Sequence, residues 1–121
     1  TRASNLQTRL SEHRYFVNRH IITFDSTKFN DIERRINDEG TGFEKEATGY
    51  RTYITTQSET QRFDEIMKFF TMYNETSARL VALSRENRKE EANVIQQGEA
   101  RLLYTKLDER LQELASYTTR G

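Results

Sequence analysis

The chain has 121 residues, 19 basic and 19 acidic, for a net charge of zero, and contains no cysteine, proline or tryptophan. That length holds one domain. The missing cysteine excludes disulfide scaffolds, thiolate zinc sites, iron–sulfur centres and thiol chemistry. The balanced charge lacks the basic footprint of a nucleic-acid binder, and no apolar run exceeds the four residues Leu80–Leu83, far short of a bilayer span.

Only 34% of the residues are hydrophobic. Such a composition suits disorder unless periodicity organises it. Ordinary proline usage of ~5% predicts about six prolines, so their absence points to long unbroken helices.

Four amphipathic stretches follow in order. In the first, Leu6, Leu10, His13, Val17, His20 and Phe24 step by four and three, an a/d seam. Asp25-Ser26-Thr27 then supplies capping residues. In the second, Phe29, Ile36, Phe43 and Tyr50 recur every seven residues, and Gly40, Ala47 and Ile54 fill the other seam. The heptad phase crosses Gly40-Thr41-Gly42, so one helix is expected there, with a break as the alternative. Ser58 and Gln61 fit a capping box opening the third stretch, whose seam is Phe63, Ile66, Phe70, Tyr73, Ser77 and Leu80. Asn87 is a candidate left-handed residue at its end. In the fourth, Ala92, Ile95, Ala100, Leu103, Leu107, Leu111 and Leu114 line one face. The expectation is an all-α, antiparallel up-down-up-down four-helix bundle, with unkinked helices over about 2–25, 27–57, 59–87 and 89–119, each roughly 40 Å long.

Catalytic patterns are missing. Both histidines, His13 and His20, fall on the first helix and neither follows a glutamate by three, so a carboxylate-bridged di-metal site is not expected. They read as half-buried packing groups at a helix or dimer contact. There is no nucleophile elbow and no phosphate-binding glycine loop. No enzyme activity, cofactor or metal is expected.

The chain begins at Thr1 and reads as a piece excised from between two transmembrane helices. The stretch Tyr73 to Leu80-Val81-Ala82-Leu83-Ser84, the charged turn Arg88-Lys89-Glu90-Glu91-Ala92 and the leucine-rich last helix ending at Leu114 resemble the periplasmic four-helix-bundle sensor domain of bacterial methyl-accepting chemotaxis proteins. The resemblance covers the whole chain. It implies a periplasmic domain of a membrane-anchored receptor, a homodimer in the full-length protein, and a signal carried by a small piston or rotation of the last helix. In the aspartate-receptor branch, arginines late on the first helix grip carboxylates. By resemblance Arg14 and Arg19 take those places, and Gln96, before Gln97-Gly98, takes that of a polar contact. Thr23 stands where that branch has a third arginine and Ala92 where it has an aromatic contact, so its aspartate pocket is incomplete here.

Residue depth gives a second route to a site. About ten residues below the turns at 25–27 and 87–89, roughly 15 Å, lie 14–18, 37–42, 73–79 and 96–101. That layer collects Gly40, Gly42, Gly98 and Ser77. A polar pocket is expected there, near Arg14, Tyr73, Ser77 and Gln96. The guanidinium fork suits a carboxylate, which makes an organic acid or amino acid the expected ligand. A helical structural or protein-interaction domain of a membrane receptor, and a cytoplasmic helical adaptor, are the alternatives.

Overall fold

The structure, a computed structural model, describes residues 2–120, with side chains as far as residue 116. Helix α1 is Arg2–Ile22, followed by a 3₁₀ turn at Ser26–Lys28 and α2 at Phe29–Arg51. Helix α3 is Gln57–Arg85. The fourth leg begins as α4, Lys89–Ile95, passes through a π turn at Gln96–Ala100 and continues as α5, Arg101–Arg120. No strand occurs among the described residues. The legs form an all-α four-helix bundle.

Local chemistry sets the boundaries. The chain leaves α1 at Ile22, so Phe24, expected on the seam, is 75% exposed. The Asp25 carboxylate accepts from Thr27 N–H at 3.0 Å and from the Thr27 hydroxyl at 2.6 Å. Those two bonds hold its pKa below the usual range. Helix α2 crosses Gly40-Thr41-Gly42 unbroken but ends at Arg51, short of the expected 57, in a turn closed by Tyr53 N–H to Tyr50 O and Ile54 N–H to Arg51 O.

The capping box of α3 lies two residues earlier than Ser58–Gln61. Thr56, at ψ 154, accepts Glu59 N–H at 3.1 Å and donates to Glu59 Oε1 at 3.2 Å. Ser58 is already helical, so it has no free first-turn amide to cap. At the other end Asn87 takes φ 64. Arg88 N–H reaches Leu83 O and Asn87 N–H reaches Ser84 O, the paired bonds of a Schellman motif.

The buried residues form two apolar clusters. Near the chain termini Leu6, Leu10, Leu103, Leu107, Leu111 and Leu114 surround two ring stacks, Phe43 on Phe70 at 4.1 Å and Tyr50 on Phe63 at 5.6 Å. Toward the turns at 23–28 and 86–88 the cluster is aliphatic: Val17, Ile21, Ile32, Ile36, Leu80, Val81, Ala92 and Ala100. His13, Thr76 and Ser77 lie between the two clusters along the chain, beside Tyr73 at the edge of the first, all buried.

A polar network closes the distal turn end. His20, fully buried, stacks on Phe29 at 4.6 Å. Its Nε2 meets Glu33 at 3.0 Å and its Nδ1 meets the Ser84 hydroxyl at 2.7 Å. Lys89 donates to Ser84 Oγ and to the His20 carbonyl, at 2.6 and 2.9 Å, and burial holds its pKa below the ordinary range. Ser84 thus ties α1, α3 and the start of α4. Ser84→Ala leaves a buried imidazole nitrogen unmet, a loss of ~1–3 kcal/mol. Urea unfolding that gives wild-type stability for this variant contradicts the role assigned to the network.

Candidate functional site

The polar layer is a site candidate because its hydrogen bonds are incomplete. His13 is 1% exposed, yet neither ring nitrogen has a hydrogen-bond partner. The Tyr73 hydroxyl and Ser77 Oγ are also buried and make no well-formed hydrogen bond, only a looser contact with each other. A buried polar group left unmet costs ~1–3 kcal/mol, and native interiors leave few of them. Burial pushes the His13 imidazole down to about 4, with the neighbouring Asn74 amide pulling weakly the other way. His13 is therefore neutral at physiological pH. Burial pushes the Tyr73 phenol well above its usual value, against the opposing pull of Ser77 and the Arg14 charge. Its ring lies 5.4 Å from His13 and 5.9 Å from Tyr104.

On one side of this layer a cleft of about 330 Å³ opens between α2 and α3, with His13 of α1 among its walls. Ser77 and Asn74 of α3 and Asn37 of α2 line it, with Glu33 and Arg85 also on its walls. Gly40 belongs to this close packing. A Cβ there would stand 3.8 Å from the His13 ring and 3.7 Å from Asn74 Oδ1. The other glycines behave differently. Gly42 lies under the Arg9 guanidinium, which reaches Glu39 at 3.3 Å, and Gly98 has open space around it. The three glycines that share a depth do not share a cavity.

The second polar set runs along the seam between α1 and the fourth leg. Arg14 is half-buried, its guanidinium 4.1 Å above the Tyr104 ring. One turn along α1, Asn18 accepts from the Gln96 amide. Gln96 opens the π turn, and its own side-chain oxygen is buried without a partner. The last helix, expected to be unkinked, is thus interrupted at the residue expected to contact a ligand. π turns of this kind are frequent at functional sites. Arg19 is exposed, with the Tyr15 hydroxyl at 3.4 Å. Neither Arg14 nor Arg19 has an acidic partner among the described residues, unlike Arg9, Arg79, Arg85 and Arg110.

The five predicted site residues therefore divide. Arg14 and Gln96 face the seam with the fourth leg, and Ser77 faces the α2–α3 cleft. Tyr73 lies inside, within reach of the Arg14 charge, and Arg19 stands outside on α1. Sequence reasoning reads His13 as packing and does not single out Glu33, Asn37 or Asn74. The heptad position of His13 announces burial but not the lack of a partner. No group of three or more metal-ligating side chains occurs among the described residues.

The four legs thus leave polar gaps between them on two sides. Over residues 1–121 the chain matches the family described as the four helix bundle sensory module for signal transduction. It belongs to that family, the sensory modules of methyl-accepting chemotaxis proteins. No curated protein and no solved structure matches it. Among the described residues no helix is long and apolar enough to cross a membrane.

Proposed function

We propose that this module is the extracytoplasmic, ligand-sensing part of a membrane-anchored chemotaxis receptor, and that its ligand is a small carboxylate-bearing metabolite, an organic acid or amino acid. The observation that carries this reading is Arg14. A half-buried guanidinium resting on Tyr104 without a carboxylate partner is an anion receptor with its counter-charge still to come. Desolvation strengthens a bidentate pair there over one in open solvent. Gln96 and Asn18, one turn away, supply neutral donors and acceptors.

The π turn suggests how binding becomes a signal. It holds one more residue than α-helical winding, so its loss turns α5 by about 100° relative to α4. A ligand held by Gln96 and Arg14 bears on the joint itself and, through the Arg14–Tyr104 contact, on α5. Homodimerisation fits the exposed apolar side chains. Tyr15 and Ile22 lie seven apart on α1, and Val94 and Leu102 flank the π turn, where a second copy can cover them.

Thermal unfolding against a panel of organic acids and amino acids tests the reading. At one hundred times Kd a ligand of the folded state adds about 2.7 kcal/mol, a rise of several degrees in Tm. The rise is expected for at least one carboxylate and is lost in Arg14→Ala. No shift from any compound overturns direct sensing.

A further inference from the structure

The α2–α3 cleft is distinct from the Arg14 seam. It draws its walls from α1, α2 and α3, whereas Arg14 and Gln96 meet between α1 and the fourth leg. Helices α1 and α2 pack along much of their length, while α2 and α3 touch sparsely. The gap between them reaches the polar layer.

We propose that this cleft is a second ligand site, taking a small uncharged molecule that carries a hydrogen-bond donor and acceptor on an apolar body, such as an aromatic amide or alcohol. Two nearly inaccessible groups on its walls, His13 and Ser77, make no well-formed hydrogen bond, only looser polar contacts with Asn74 and Tyr73. A neutral imidazole offers one donor and one acceptor, and a hydroxyl offers both. A molecule with both functions satisfies them; a bare cation or anion satisfies only half.

The electrostatics agree. The charged pair on the wall is already neutralised, since Arg85 donates to Glu33 at 2.5 Å and to Asn30 at 3.1 Å. Glu33 is also engaged by His20. No unmet charge in the cleft asks for an ion, and a charged guest beside an uncharged His13 loses its hydration for little return. The rest of the wall suits an apolar body: Ile36 and Val81 are core residues, and Ala78 and Ala82 keep the α3 side low. The volume of about 330 Å³ lies at the lower end of small-molecule sites.

The test follows the His13 ring nitrogens of the ¹⁵N-labelled domain by long-range proton–nitrogen NMR. Benzamide and benzyl alcohol are the neutral probes, and benzoate is the charged isostere. The expected result is a saturable shift of the His13 signals with a neutral probe at millimolar concentration. It persists in Arg14→Ala and disappears in Ala78→Phe, an exposed α3 position where the ring plugs the cleft. His13→Phe is a second variant that removes the unmet nitrogens, read through the Asn74 side-chain amide, and it too abolishes the response. Silence from both neutral probes overturns the proposal, as does benzoate binding equally well in the cleft. So does a response that survives Ala78→Phe but is lost in Arg14→Ala, which places the probe on the other seam. Because Arg14→Ala separates the two sites, failure here leaves the carboxylate reading standing, and the converse holds.

Discussion

Acidification from pH 7 to pH 4 is expected to lower the stability of the bundle by about 3 kcal/mol through His13 alone. Burial depresses its folded-state pKa from 6.5 to about 4. Between those values the unfolded chain binds a proton that the folded chain refuses. Stability from this group is therefore constant above about pH 6.5, falls as the pH drops toward 4, and levels off below. The charged groups on the cleft walls are Glu33 and Arg85, which pair with each other. Asp25 and Asp31 are held below the usual carboxylate range, so their contribution is lost only under more acid conditions. Urea unfolding at a series of pH values measures the slope. His13→Phe keeps a ring beside Tyr73 and removes both unmet nitrogens. It is expected to flatten the slope between pH 6.5 and 4 without lowering stability at pH 7. A slope unchanged in this variant assigns the acid sensitivity elsewhere.

Phe70→Ala is expected to cost ~3–5 kcal/mol, more than the loss expected for Ser84→Ala. Phe70 is 2% exposed and lies nearly parallel to Phe43, 10° between planes. Truncation opens a cavity between α2 and α3 in the cluster near the termini, where the stacked rings and the α5 leucines leave no small movement that refills it. The lost ring contact adds to the lost burial. Lys45→Ala is the control. An exposed side chain on α2, it is expected to change stability by no more than ~0.5 kcal/mol. Urea midpoints with unchanged m-values measure both, and a Phe70→Ala loss below ~1 kcal/mol contradicts the packing described.

The bundle is legible because the seams repeat. Leu6, Leu10, His13, Val17 and His20 step four and three residues apart, and all are buried. The helix ends are less legible. Thr56–Glu59 and Ser58–Gln61 both fit the capping pattern, and only the extended backbone of Thr56 decides between them. Ile54 keeps the heptad phase of α2 and packs on the core, although the helix has already ended at Arg51. Periodicity records burial, and a turn can bury a side chain as well as a helix can. The π turn leaves a plain trace, since the apolar face of the fourth leg steps by five from Ile95 to Ala100. An expectation of even winding overlooks that step. The site is legible in depth and not in direction. Asn37, Asn74 and Ser77 fall in the predicted layer, and so do Arg14 and Gln96, but residues at one height on four helices point to different seams. An unmet hydrogen bond depends on what every neighbour fails to offer, so no single stretch of sequence announces it.

Calorimetric titration of the carboxylate that most raises Tm, into the wild-type domain and into Arg14→Ala, is the decisive test of Arg14 as the carboxylate receptor. Saturable binding to the wild type is expected, with a loss of affinity of about 30-fold or more in Arg14→Ala, the order that follows when one partner of a desolvated charge pair is removed. Equal affinity in the two proteins, or no heat from any carboxylate, would contradict it.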